Sequence, residues 1–426
     1  MSYEENKAVP VESIPRRVHQ RLVATLFLAH GSLIAANVAS FALMPIVATQ
    51  MMGESAAGVP STVGMVGRAA AGFPMGWMMD KLGRRFGLSL GYVVAIIGCL
   101  LAFFSLGWAS FIGFCLGMFF LGAGRATSEQ TRFVAAEITR KENRAKALGI
   151  VVAAGIVGGI GGPLIVPAAE RIMLGWGFVA GSGAYGLSIA LAVISLVLIL
   201  TMLYPEPLLL SQIVQRAEDD EDPKTAQRNA ASTRTFKEIM AEPRVMLAMS
   251  SLVIGQFVMV WLMVIMSVHM DKNNHDLAAI TLVIAFHNAG MYAFSWAVGW
   301  VVERIGHVMT ILSGTCILAL SAIMAPLSVA FPNLAWSMFL VGLGWSFTYV
   351  AGSSLLSNSL SPNERSQIQG ASESFLSIAG GVGSLGTGVI YASGGMPFVG
   401  TLGVVMSLVL LLFLGWYRLQ PQVVAA

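Results

Sequence analysis

Met259 and Met263 lie four residues apart, and His287 and Met291 repeat that spacing a little further along the chain. Four residues is just over one helical turn, so each pair shares a helix face. Thioether sulfur and imidazole nitrogen are neutral, soft-to-intermediate donors. They suit copper, especially Cu(I), and hold a monovalent ion without burying a carboxylate charge. Both pairs sit in the middle of long apolar runs, at 244–270 and 278–301. A histidine at such a depth faces a cavity or a polar partner more often than lipid. If the two runs are helices crossing in opposite directions, a rise of about 1.5 Å per residue brings Met263 level with His287 and Met259 level with Met291. Four donor atoms then form a small rectangle across one helix pair. The plain alternative is that the methionines are core packing and His287 bonds a neighbouring helix. With 24 methionines in the chain, a Met-x-x-x-Met pair arises about once by chance, so the histidine is the more telling member. Met266, His269 and Met270 continue toward the end of the same run as a candidate metal entry path.

Other costly residues fall within apolar runs. Arg125 and Glu129 are four apart and can pair; they form a proton-coupling or anionic-substrate site, or an internal ion pair. Arg68 and Arg132 share that depth, and Glu373 lies about a turn into its run, where a gating contact is expected. An organic solute would instead draw on Trp261, Tyr292, Trp296, Trp345 and Tyr349 for stacking, with Arg68 or Arg125 for its polar groups. No Gly-x-x-x-x-Gly-Lys-Ser/Thr motif and no catalytic constellation appears, so neither an enzyme nor direct ATP drive is indicated. No prosthetic group is implied; copper enters as a transported substrate.

The elements that must position these residues are membrane helices. Of 426 residues, 56% are hydrophobic and 11% charged, against roughly 25% charged in soluble domains. Twelve apolar stretches of about 20 residues predict an all-α integral membrane protein with twelve spans. The polar segment 204–243, with Glu218–Asp222 acidic throughout, divides them into six-helix bundles at 1–203 and 244–426. The N-terminus, alternate loops and C-terminus hold twenty Lys and Arg, whereas the other loops hold only Arg171 and Lys272. That bias places both termini in the cytoplasm and gives no nucleic-acid signal. The polar first twenty residues do not read as a cleavable signal peptide. Cys99, Cys115 and Cys316 all fall in apolar runs, so no disulfide framework is expected.

The two halves echo each other. Gly76-Trp-Met-Met-Asp80-Lys-Leu-Gly83-Arg84-Arg85 is matched by Gly299-Trp-Val-Val-Glu303-Arg304-Ile-Gly306-His307, which predicts parallel structural repeats with a site between them near mid-membrane. Arg84 can pair with Glu137, while Asp80 can sit against a helix N-terminus. Gly76 and Gly83 suit close helix approach and a sharp turn.

The Gly76…Asp80…Gly83-Arg84-Arg85 signature resembles the major facilitator superfamily over essentially the whole chain. That resemblance implies two pseudo-symmetric six-helix bundles working by alternating access, with Gly76, Asp80, Gly83, Arg84, Arg85 and Glu137 as gating residues. Gly155 to Pro163 looks like a glycine-rich segment found in exporters of that superfamily, with tight packing in lipid as the plain alternative. Arg125 resembles its membrane-embedded arginine. Met259/Met263 followed by His287/Met291 resembles the CcoA-like branch, copper importers of the bacterial inner membrane that serve assembly of cbb3-type cytochrome oxidase. The branch also includes riboflavin transporters. The resemblance implies copper uptake with these four residues as ligands, in a protein that partners the lipid bilayer, functions as a monomer and hands copper to a downstream chaperone. A riboflavin or other organic-solute importer and a proton-coupled drug exporter are the alternatives.

Overall fold

Backbone amides and carbonyls in hydrocarbon must be satisfied within their own segment, and a chain this apolar meets that demand with helices. The computed structural model describes residues 15–140, 144–221, 234–360 and 362–419, and every regular element among them is helical. The first half comprises α1 (Arg16–Met52), α2 (Val59–Leu82), α3 (Arg84–Gly107), α4 (Phe111–Glu129), α5 (Thr131–Glu137), α6 (Arg144–Gly175), α7 (Ser182–Met202) and α8 (Pro207–Glu221). The second comprises α9 (Phe236–Ala241), α10 (Pro243–Lys272), α11 (Leu277–Tyr292), α12 (Ser295–Ile305), α13 (His307–Met324), α14 (Phe331–Asn358) and α15 (Pro362–Leu419). Ten helical stretches among the described residues are long and apolar enough to cross a membrane. The last, Ala371–Leu419, runs 49 residues and is broken by non-helical backbone at Gly395.

Local chemistry sets several helix starts. Ser110 Oγ accepts from Gly113 N, and Asp276 Oδ1 from Ala279 N, so each satisfies an otherwise orphaned amide. Thr235 and Glu238 form a reciprocal capping box at the start of α9. The Thr235 backbone N–H donated to Glu238 holds that carboxyl below its ordinary range. The repeated sequence motif also has a repeated backbone. Gly83, between α2 and α3, and Gly306, between α12 and α13, have φ +99° and +81° with ψ near 154° and 165°. Residues with a Cβ avoid that region, so glycine at both turns follows from the geometry.

In the first half, α1 packs on α6 and α7, α3 on α4 and α7, and α2 on α4. In the second half, α10 packs on α14 and α15, and α11 and α13 both pack on α14. Contacts between the halves run through α6 with α11, α2 with α15, and α1 with α10. One apolar core lies within each half, and a third, around Met259 to Met270, joins them. Large apolar side chains such as Val157, Ile194, Trp296 and Leu412 are exposed on the outside, as a lipid-facing surface requires.

The halves are closed at the end bearing Gly58. Ser384 Oγ donates to Gly58 O, and Thr62 Oγ1 to Gly381 O, both at 2.9 Å. Lys272 pairs with Glu54 beside them.

Candidate functional site

A two-lobed cleft lies between the halves. The two lobes share Asn37, Met65, Arg68, Arg125, Gln256, Met259, Met291 and Tyr292, so they form one continuous space. Its walls are drawn from both halves, and the space between them is wider than a bare ion requires.

Of the four candidate copper ligands, Met259, Met263 and Met291 line this cleft. His287 does not. Its ring is fully buried against α14, with Nδ1 3.1 Å from the Met338 carbonyl oxygen. The backbone there is equally close: a Cβ on Gly342 of α14 would stand 2.2 Å from His287 O. The expected rectangle therefore has three members on the cleft wall and the fourth turned toward a different helix. The reason is packing. Helix α11 lies mainly on α14 and α6, and only slightly on α10, so the faces of the two motif helices are not apposed. With Nδ1 donating to a carbonyl, Nε2 is left as a buried lone pair with no partner among the described residues. Such an arrangement fixes the tautomer of a metal-ligating histidine, and it equally serves a histidine that only braces a helix.

The candidate entry path is likewise internal. Met266 and Met270 are buried in the core joining the halves, and His269 Nδ1 lies 3.1 Å from the Tyr391 hydroxyl. None of the three lines the cleft.

The charged residues do converge on it. Arg68 NH2 donates to Glu129 Oε2 at 2.6 Å and to Glu373 Oε2 at 3.1 Å. Arg125 Nε donates to Glu129 Oε1 at 3.2 Å, so the expected four-residue pair is present. Arg132 approaches Glu373 Oε1 at 3.8 Å. Glu373 belongs to α15 and the three arginines to the first half, so these contacts bridge the two halves.

Three of the five candidate aromatics join them. Trp345 and Tyr349 stack at 4.5 Å, and Tyr292 meets Trp345 edge-on at 6.4 Å. Trp345 Nε1 donates to Gln256 Oε1 at 2.9 Å, which fixes the orientation of the ring. Trp261 instead donates from the core to Val399 O, and Trp296 is 79% exposed on the outer surface.

Around the gating signature, Arg84 donates to Glu137 through Nε and NH2 at 3.0 and 3.1 Å, a two-pronged pair as expected. The acid at the N-terminus of α3 is Glu206, which accepts from the amides of Arg84 and Arg85. No sequence signal marked it, because it lies more than a hundred residues away. The Arg85 side chain donates to Leu200 O. Asp80 lies within α2, and its side chain lies outside those described. Among the described residues, a Cβ on Gly76 would meet nothing within 4 Å. The glycines of α6 are different: Cβ atoms on Gly158 and Gly162 would stand 2.2 and 2.5 Å from the carbonyls of Gly31 and Ala35 on α1.

This arrangement, a cleft between two helical halves with Arg84 paired to Glu137, agrees with sequence comparison. The Major Facilitator Superfamily model matches residues 26–272 and 252–425. The chain belongs to the major facilitator superfamily. Within the superfamily it is 30% identical over 392 residues, 91% of this chain and 89% of the relative, to the uncharacterized MFS-type transporter YdeG of Bacillus subtilis (strain 168). It is 25% identical over 315 residues, 74% of this chain and 75% of the relative, to the riboflavin transporter RfnT of Brucella anthropi. Among solved structures, its fold is similar to a bacterial homologue of the human lysosomal transporter Spinster in an inward-facing, unoccupied conformation. There the TM-score is 0.69 at 14% identity, covering 95% of this chain and 97% of that one. The human organic anion transporter MFSD10 gives 0.64 at 16% identity over 93% and 99%. As a major facilitator, the chain is a multi-span membrane transporter.

Proposed function

We propose that this transporter carries a small organic solute with a flat ring system, bound in the central cleft and moved by alternating access. One observation carries this reading: the stacked Trp345–Tyr349 pair and the Arg68 and Arg125 guanidinium groups line the same cleft. Rings and guanidinium groups bind planar, hydrogen-bonding molecules through stacking and directed donors. Counting α2 and the two limbs of α15 separately gives twelve spans in two six-helix bundles. With both termini in the cytoplasm of a bacterial inner membrane, the closed Gly58 end faces outward and the cleft serves the cytoplasmic side.

The similarity to a riboflavin transporter makes riboflavin the first compound to test. Uptake is to be measured in a riboflavin-requiring host without its own importer, comparing wild type with Trp345→Ala and Arg125→Gln at matched membrane abundance. Wild-type accumulation lost in Trp345→Ala supports the reading. Accumulation unaffected by either variant removes the cleft as the site.

Copper import is a second reading, favoured by the buried, unpartnered Nε2 of His287 and by Met259, Met263 and Met291 on the cleft wall. Rotation of α11 against α10 within the second half would be needed to bring the imidazole to the methionines, a movement separate from rocking of the halves. His287→Asn separates the roles, because its amide replaces the Nδ1 donor to Met338 O and supplies no Nε2. Loss of Cu(I) binding in His287→Asn, read by competition with bathocuproine, supports copper; retained binding excludes His287 as a ligand.

A further inference from the structure

Resting on the organic-solute reading, we propose that the cleft is built for a solute bearing one carboxylate, with Arg125 as its counter-ion. The argument is a charge balance. Three guanidinium groups, Arg68, Arg125 and Arg132, line the cleft against two carboxylates, Glu129 and Glu373. Both oxygens of each carboxylate are engaged: those of Glu129 by Arg68 and Arg125, those of Glu373 by Arg68 and Arg132. Among the described residues, the walls therefore carry one positive charge more than negative. An arginine at membrane depth is held by a partner or by cavity water, and a substrate carboxylate can take the place of that water at Arg125.

The free donors mark where that charge sits. Arg125 contributes only its Nε to Glu129, and its two terminal nitrogens have no partner among the described residues. Its side chain is 45% exposed, the most open of the three arginines, and it lines both lobes. Two terminal N–H groups in a planar fork match the two oxygens of a carboxylate. The opposite wall offers the Trp345–Tyr349 stack, held in register by Gln256. The ligand is thus a planar ring with an acid group at one end. A neutral solute leaves the excess charge in place.

The test uses the purified full-length chain in detergent and two matched pairs, cinnamate with cinnamamide and naphthoate with naphthamide. Equilibrium binding is measured by calorimetry, with thermal shift as a fold check. The acids are expected to bind at least about tenfold more tightly than their amides. Arg125→Gln should erase that preference, and Arg125→Lys, which keeps the charge and loses the fork, should retain part of it. Equal binding of acid and amide, lost in Trp345→Ala, overturns the carboxylate inference and leaves the organic-solute reading standing. Binding of neither acid overturns the carboxylate inference, and riboflavin uptake then decides the organic-solute reading by itself.

Discussion

Gly58 and Ser384 meet backbone to backbone: a Cβ on Gly58 would stand 1.5 Å from the Ser384 carbonyl oxygen. They lie on opposite halves, at the N-terminus of α2 and in the first limb of α15, so the contact exists only when this end is shut. Gly58→Ala is therefore expected to hold that end open without unfolding either half. In a background lacking Cys99, Cys115 and Cys316, a cysteine at Thr62 should become several-fold more reactive to a membrane-impermeant maleimide when Gly58→Ala is added. Unchanged labelling would mean that closure does not require this contact.

The Arg84–Glu137 pair is a fork, and lysine cannot reproduce it. Arg84→Lys is expected to slow transport by about tenfold, roughly 1.4 kcal/mol on the barrier, while changing ligand affinity by less than about twofold. Initial uptake rates and equilibrium binding on the same preparation separate the two. A matching fall in affinity would place Arg84 in ligand binding rather than gating.

Glu373 is the acid through which Arg68 reaches across the halves, while Glu129 holds Arg68 from its own side. A double-mutant cycle with Arg68→Gln and Glu373→Gln, read as thermal stability in detergent, should give a coupling of about 0.5–2 kcal/mol. Additive effects would show that the two charges do not sense each other. Glu373→Gln alone leaves Arg68 paired to Glu129 but removes the carboxylate facing Arg132, so its loss should exceed the Arg68 coupling.

The α6 glycines make a contrast within five residues. Gly162→Ala forces a methyl group against the backbone of α1, and overpacking of that kind costs about 1–3 kcal/mol. Gly161→Ala meets nothing within 4 Å and should be tolerated. Thermal unfolding of the two variants checks this. Similar losses for both would point to helix flexibility, and not packing, as the reason for the glycine run.

Much of this was readable in the residues. The repeated motif fixed the pairing of Gly83 with Gly306, and like-for-unlike charge at a helix end marked Arg84 and Glu137. Four-residue spacing correctly set Arg125 on Glu129, because neighbours on one helix need no tertiary information. His287 and Met291 show where that logic stops. They share a face, yet one turns to α14 and the other to the cleft, since spacing of four still leaves about 40° between side chains. Spacing also does not name the helix that a face will meet. Trp261 and Trp296 illustrate the same gap: helical periodicity separates the faces of a span but does not distinguish core, cleft and lipid when all three are apolar. Glu206 was invisible because its partner amides lie in a distant turn.

The cleft divides its chemistry unequally. Arg68, Arg125, Arg132 and Glu129 belong to the first half, whereas Gln256, Tyr292, Trp345 and Tyr349 belong to the second. A molecule that touches only one wall has the same affinity however the halves are tilted, and so cannot drive their motion. One that reaches both acts as a strut whose grip depends on the gap between the walls. Length, as much as polarity, then decides which molecules are carried and which merely occupy the space.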